Sequence, residues 1–345
     1  MEETRKNIKD FTLEALTAWF VKQNEKPFRA KQIFNWLYQK KVDDFSEMLN
    51  MSKMLRDKLS KHFFISSLQR YQQIHAKDGT IKYVFELKDK QRIEAVLMAH
   101  RDHYTVCVSS QVGCAMGCDF CMTAQMGLVR NLTPGEIIDQ ILEIWKDVPE
   151  NEGIRNVVFM GMGEPFHNYQ NLINTLKIML ADVGFNFSSR RITVSTSGLV
   201  PQIVQFGQED VRANLAISLN GVNDTIRTQL MPINKTYNLQ KLIASCQNYP
   251  LESRKRITFE YILIKELTDA LEDAKQLIKI LHGLKFKINL IPYNESPGSK
   301  YKSPSSDQIQ IFQRYLLDHG ATATLRISRG KDIQGACGQL IQSFD

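Results

Sequence analysis

Cys114, Cys118 and Cys121 stand in SSQVGCAMGCDFCMT with the spacing C-x3-C-x2-C. Three thiolates so spaced can close around three irons of a cubane iron–sulfur cluster and leave the fourth iron open. A structural zinc ion normally takes four protein ligands, and no fourth Cys or His follows at finger-like spacing. Zinc held by these three and a distant fourth ligand is the alternative. Cys107, Cys246 and Cys337 complete the six cysteines. An even count can signal disulfides, but the opening MEETRKNIKD has no apolar core of a secretory signal. A reduced, cytoplasmic setting is expected instead. A lone cysteine such as Cys107, Cys246 or Cys337 is ordinarily a small buried hydrophobe.

The elements that must position the cysteine run form a β-then-α rhythm from about residue 103. Strands are expected at 104–110, 156–163, 191–198, 213–220, 256–264 and 287–294, and helices at 134–147, 168–181, 238–248, 268–282 and 306–319. The first helix has Thr133 as N-cap, Pro134 in its first turn and Glu136 three residues after the cap, a capping box. Six such units predict an α/β fold, a partial (βα)6 barrel, and no GxGxxG opens the first helix to favour a dinucleotide fold. Catalytic groups of parallel barrels sit where strands end. Those ends carry Cys114, Gly163-Glu164, Ser195, Ser218 and Asn294.

Residues 1–66 read as a small helical domain, with apolar Phe28, Ile33, Phe34, Leu37 and Tyr38 near helical spacing. Residues 67–102 read as an antiparallel β extension, broken by turns at Asp78-Gly79 and Lys88-Asp89-Lys90. Residues 103–345 make the barrel and a C-terminal segment. The 345 residues include 23% charged and 43% hydrophobic types, which excludes a disordered or collagen-like chain. No run approaches the roughly 18 apolar residues of a membrane span. Lys plus Arg number 44 and Asp plus Glu 37, a net charge of +7 that weakly favours polyanionic partners.

The cysteine spacing resembles the signature of the radical S-adenosylmethionine (SAM) superfamily, and MGMGEP (160–165) resembles its glycine-rich segment. CVSSQVGC (107–114), GMGEPFHNY (161–169), ITVSTSG (192–198), INLIPYN (288–294) and DIQGACGQL (332–340) then follow in order. Together they resemble the RlmN/Cfr group of RNA adenine methyltransferases, from about residue 12 to 340. FRAKQIFNWLY and KYVFELKDKQRIEAVLM match its N-terminal part.

The resemblance implies a 4Fe–4S cluster on Cys114, Cys118 and Cys121, with SAM on the open iron and two SAM molecules used per turnover. Gly163 and Glu164 would meet the methionine amino group. Ser195, Ser218, Leu219, Asn220 and Asn294 match positions that contact SAM. The family usually has Ser-Leu-His where this chain has Ser218-Leu219-Asn220, and an asparagine cannot titrate near neutral pH. Adenine C2 is electron-poor and cannot attack the methyl of SAM as a nucleophile, so a radical route is required. In the family's scheme Cys337 carries the methyl group, Cys107 resolves a protein–RNA adduct through a transient disulfide, and Glu94 accepts the ring proton. Cys246 matches no motif.

The implied substrates are 23S rRNA and tRNA, and the implied electron donor is a flavodoxin-like one-electron carrier acting on a monomer. Ten cations between residues 22 and 61 (Lys22, Lys26, Arg29, Lys31, Lys40, Lys41, Lys53, Arg56, Lys58 and Lys61) face five acids over the same stretch. That imbalance favours RNA docking, the alternative being a merely solvated helical face. Arg190, Arg191, Lys235, Arg326 and Arg329 would extend a basic rim around the barrel. An enzyme with the same five cysteines but acting at adenine C8, or a non-catalytic zinc-stabilised RNA-binding protein, are the alternatives.

Overall fold

Capped amphipathic helices open the chain. The structure, a computed structural model, describes residues 5–149, 152–296 and 298–340. The outermost residues of the expected first and third regions, 1–4 and 341–345, lie outside these. Thr12 caps α1 (Leu13–Lys22) by accepting from the Ala15 amide, and Ser52 caps α3 (Lys53–His62) by accepting from Leu55. Between them α2 (Arg29–Phe34) widens into a π-helical stretch, Asn35–Gln39. Leu16, Phe20, Ile33, Phe34, Leu37, Leu55 and Leu59 are fully or almost fully buried and share one apolar core with the rest of the molecule.

One ten-stranded sheet follows. Its strands are β1 (Gln69–His75), β2 (Ile81–Glu86), β3 (Arg92–Ala99), β4 (Tyr104–Cys107), β5 (Ile154–Phe159), β6 (Ile192–Thr196), β7 (Asn214–Ser218), β8 (Ile257–Leu263), β9 (Phe286–Pro292) and β10 (Ala323–Leu325). They lie in the sheet in chain order. The pairs from β1 to β4 are antiparallel, and every pair from β4 to β10 is parallel. The expected β extension is thus bonded edge to edge with the barrel strands. Strand β10 and helices α6 (Val200–Gln208) and α7 (Asp224–Leu230) were not foreseen from the sequence. β10 is three residues long, and the other two are short helices, α6 with Pro201 near its start.

The anticipated helices are α4 (Pro134–Trp145), α5 (Tyr169–Leu180), α8 (Leu239–Gln247), α9 (Leu271–Leu281) and α10 (Ser306–Asp318). The capping box of Thr133 and Glu136 starts α4. The parallel strands leave the barrel open, since β10 is a free edge of the sheet. Residues 326–340 run from that edge back across the open side. There the Gly330 amide donates to Asp78 Oδ2 at 3.0 Å and the Lys77 amide to Asp332 Oδ2 at 3.0 Å. No helix among the described residues is long and apolar enough to cross a membrane.

Candidate active site

The cysteine run hangs from a small antiparallel pair, Gln111–Gly113 with Leu128–Asn131. Gly113 has φ +74°, and a Cβ there would lie 1.9 Å from the Gly127 carbonyl oxygen, so only glycine lets the two strands close. The Cys114 amide donates to that carbonyl at 2.8 Å, the Cys121 amide to Cys118 O at 3.0 Å, and the Met122 amide to Gly338 O at 2.8 Å. Cys114, Cys118 and Cys121 line one cavity. Burial pushes the Cys114 thiol up to about 12 and raises Cys118 and Cys121 as well. A metal centre that binds thiolates would offset that cost. Among the described residues no three His, Cys, Asp or Glu side chains converge on a single-ion site. Three cysteine thiols on the wall of one cavity are a donor set that fits an iron–sulfur cluster with one open iron.

Strand ends build the rest of this cavity. Gly163 has φ +99°, and a Cβ on it would lie 2.6 Å from the Gln111 Cβ, so this turn too requires glycine. The neighbouring Glu164 is 4% exposed. Its Oε2 accepts from the Ser197 amide at 2.7 Å and its Oε1 from the Phe166 amide at 3.0 Å. Burial raises this carboxyl and the two amides pull it back down. Ser195, Ser218 and Asn220 line the same space.

Asn220 has φ +54°, a conformation asparagine tolerates better than most residues. Its Oδ1 accepts from the Ile262 amide at 3.0 Å, which ties the end of β7 to β8. Leu219 is buried in the core and does not line the cavity; its amide donates to Glu260 O at 3.0 Å. Asn294 donates from Nδ2 to the Cys337 carbonyl at 3.1 Å. Asn294 Oδ1, Ser197 Oγ and Glu260 Oε2 are buried without a hydrogen-bond partner. Asn294 does not line this cavity; Ser197 Oγ does and fits a polar ligand, and Phe120, Ile262 and Ile291 supply apolar surface for a flat ring beside it.

A second cavity adjoins the first. Cys107, Cys337, Arg190, Arg191, Arg326 and Arg329 line it, and among the described residues no carboxylate does. Of the basic rim expected from the sequence, only Lys235 is missing from its wall. Cys337 and Arg326 belong to the walls of both cavities. Burial above all, with Cys337 nearby, pushes the Cys107 thiol up to about 12, while Arg326 works against that rise. All six cysteines are free thiols in this structure. Cys246 is buried on α8, the ordinary place of a lone cysteine.

Glu94 sits on β3, where Val96 pairs with Cys107 of β4, so strand alternation puts Glu94 on the same sheet face as Cys107. It is 1% exposed and lines neither cavity; its Oε1 pairs with Lys82 Nζ at 3.1 Å. Its carboxylate thus belongs to a buried ion pair. Sequence reasoning missed Glu260, whose continuous apolar neighbours in ITFEYIL read as core. It missed Arg227 too, a guanidinium with no exposed surface that donates to Ser197 O at 2.7 Å and Leu219 O at 3.1 Å.

Residues 6–65 match the family described as ribosomal RNA large subunit methyltransferase N-terminal domain, and residues 108–279 match the radical SAM superfamily. The chain is 48% identical over 340 residues to the dual-specificity RNA methyltransferase RlmN of Syntrophotalea carbinolica, covering 98% of this chain and 90% of that protein. It is 46% identical over 343 residues to the protein of the same name from Geobacter sulfurreducens, covering 99% and 94%. The crystal structure of a radical SAM methyltransferase from Sphaerobacter thermophilus superposes with a TM-score of 0.91 at 42% identity, covering 97% of this chain and 99% of that one.

Proposed function

The chain belongs to the RlmN family of radical SAM RNA methyltransferases, and from that premise we propose that it methylates C2 of adenosine in 23S rRNA and in tRNA. The family implies a 4Fe–4S cluster and SAM, and the donor set around the first cavity fits both. Cys114, Cys118 and Cys121 hold the cluster and leave one iron for SAM, while Gly163, Glu164, Ser195, Ser218, Asn220 and Asn294 shape the SAM site. Leu219 stands behind that site, its amide bonded to Glu260 O and its carbonyl to Arg227. Bound there, the cluster and SAM would supply a methyl group for transfer and, in a second use of SAM, the radical chemistry that removes a hydrogen atom.

The protein's own residues do the rest. Cys337 accepts the methyl on Sγ and presents it in the second cavity. After losing one hydrogen, that carbon bonds to adenine C2. Glu94 receives the C2 proton; an ionised carboxylate is the form able to accept it, and Lys82 is its counter-charge. The adduct gives up its odd electron to a one-electron acceptor. Cys107 Sγ, as a thiolate, then attacks Cys337 Sγ, and the sulfur–carbon bond breaks with its electron pair left on carbon. That carbon takes a proton to become the methyl group, and a Cys107–Cys337 disulfide remains to be reduced. The arginines of the second cavity receive the phosphates flanking an adenosine turned out of its stack.

Among the described residues no ion pair engages Lys22, Lys26, Lys31, Lys40, Lys53 or Lys61, which leaves those charges of the N-terminal domain for RNA. A flavodoxin-like one-electron donor, a monomer and a cytoplasmic setting complete the reading.

The observation that carries it is the position of Cys337 in the wall shared by two cavities, one holding the three cluster thiols and the other the arginines and Cys107. A methyl carrier needs that double access. The test is anaerobic turnover of the reconstituted protein with SAM, a reductant and rRNA or tRNA fragments, followed by mass spectrometry of digested nucleosides. 2-Methyladenosine is expected. 8-Methyladenosine would move the reaction to the other carbon, and no methylated adenosine would end this reading.

A further inference from the structure

Loading Cys337 with a methyl group leaves a proton to be placed. The sulfur attacks carbon as a thiolate, so the S–H bond must give up its proton as the S–C bond forms. Glu94, assigned to the C2 proton, stands outside the cofactor cavity. Two carboxylates line the cofactor cavity, Glu164 and Glu260. Both oxygens of Glu164 accept backbone amides. Glu260, on β8, is 4% exposed; its Oε1 accepts from Asn289 Nδ2 at 2.9 Å, and its Oε2 is buried with no hydrogen-bond partner. Arg326 approaches Oε2 at 4.0 Å and shares with Cys337 the wall between the two cavities.

We propose that Glu260 is the base that takes the thiol proton of Cys337 when the methyl group is loaded, with Arg326 as the positioning residue that holds the resulting thiolate at the wall between the cavities. This rests on the reading of Cys337 as methyl carrier. The S–H bond of Cys337 breaks and its proton goes to Glu260 Oε2. The new S–CH3 bond forms as the sulfonium–methyl bond of SAM breaks, S-adenosylhomocysteine leaves as a neutral sulfide, and no electron is exchanged. Burial raises the Glu260 carboxyl, which makes it the better proton acceptor, and Arg326 limits that rise. The charge of Cys337 is the largest influence on the Arg326 guanidinium.

The test uses full-length protein free of methyl on Cys337 and reconstituted with iron and sulfide. It is given methyl-deuterated SAM with neither reductant nor RNA. Peptide mass spectrometry follows the deuteromethyl group on Cys337, and equilibrium dialysis of the same samples measures SAM affinity. Glu260→Gln is expected to load about 100-fold more slowly while binding SAM within about threefold of the wild type. Glu260→Asp should recover part of the rate. Arg326→Met should slow loading at unchanged SAM affinity, and Arg326→Lys should restore some of it.

Loading of Glu260→Gln at the wild-type rate would overturn the proposal. So would a loss of SAM affinity that accounts for the slower loading, since Glu260 would then be a SAM ligand. A wild-type protein that takes up no deuteromethyl would instead remove the carrier role of Cys337, and Glu260 with it.

Discussion

In the proposed reaction Cys337 and Cys107 divide two jobs that a single thiol could not do. The first serves both cavities and the second only the arginine-lined one. Cys337→Ala should therefore abolish S-methylation and turnover while leaving the iron content of the protein unchanged, measured by peptide mass and iron assay. Cys107→Ala should load normally but accumulate RNA bound to protein, visible as a band that survives denaturing gels and disappears on nuclease treatment; free unmodified RNA alone would remove its resolving role. At this scale the cysteine run was legible because its three members are close in sequence, and Gly163-Glu164 because a strand end carries them. Glu260 was not, since only the pairing of β8 with β9 brings Asn289 to its carboxylate. The Lys82 partner of Glu94 likewise needs the register of β2 against β3, which no local pattern states.

The strand ends that carry Ser195 and Ser218 are held by one side chain of α7. Arg227 reaches the carbonyls of Ser197 and Leu219 and donates to Asn234 Oδ1 at 2.9 Å. Two glycines clear its path: a Cβ on Gly198 would lie 3.0 Å from its guanidinium, and one on Gly221 would lie 2.9 Å from its backbone. Burial lowers its pKa to about 10, so it stays charged at neutral pH. Arg227→Met would leave those carbonyls buried and unpaired, an expected loss of about 2 kcal/mol. Chemical denaturation should show that loss, and equilibrium dialysis a SAM affinity about tenfold weaker as β6 and β7 lose their common tie. The six longer barrel strands were readable from apolar runs, and α4 from its capping box. α7 was not, because seven residues give barely two turns, and α6, though as long as α8, has its periodic pattern interrupted by Pro201 and Gly207.

On the scale of the whole molecule, the N-terminal helices are pinned to the barrel by a buried polar latch. Lys9 Nζ pairs with Asp139 Oδ1 of α4 at 2.7 Å and donates to Ser66 O at 2.7 Å, while Ser66 Oγ donates to Asp139 Oδ2. Lys9 and Asp139 are each 1% exposed. Asp139→Asn would strand a buried ammonium and should cost about 3 kcal/mol in unfolding free energy near pH 7.5. Replacing both residues, as Lys9→Met with Asp139→Leu, should recover most of that loss. Composition and motif order announced the N-terminal domain, but a latch spanning 130 positions has no sequence signature. The segment that closes the open side of the barrel is longer in reach still: Asp78 meets Gly330 across 252 positions and Thr123 meets Leu340 across 217. Contacts so remote in sequence form late, because loop-closure entropy must be met before they contribute. A folding intermediate could therefore assemble the three cluster thiols, which are local, before it places Cys337. With Cys337 in its proposed role, competence to carry a methyl group would then report on completed folding, and an iron-loaded but incompletely folded chain would be chemically silent toward RNA.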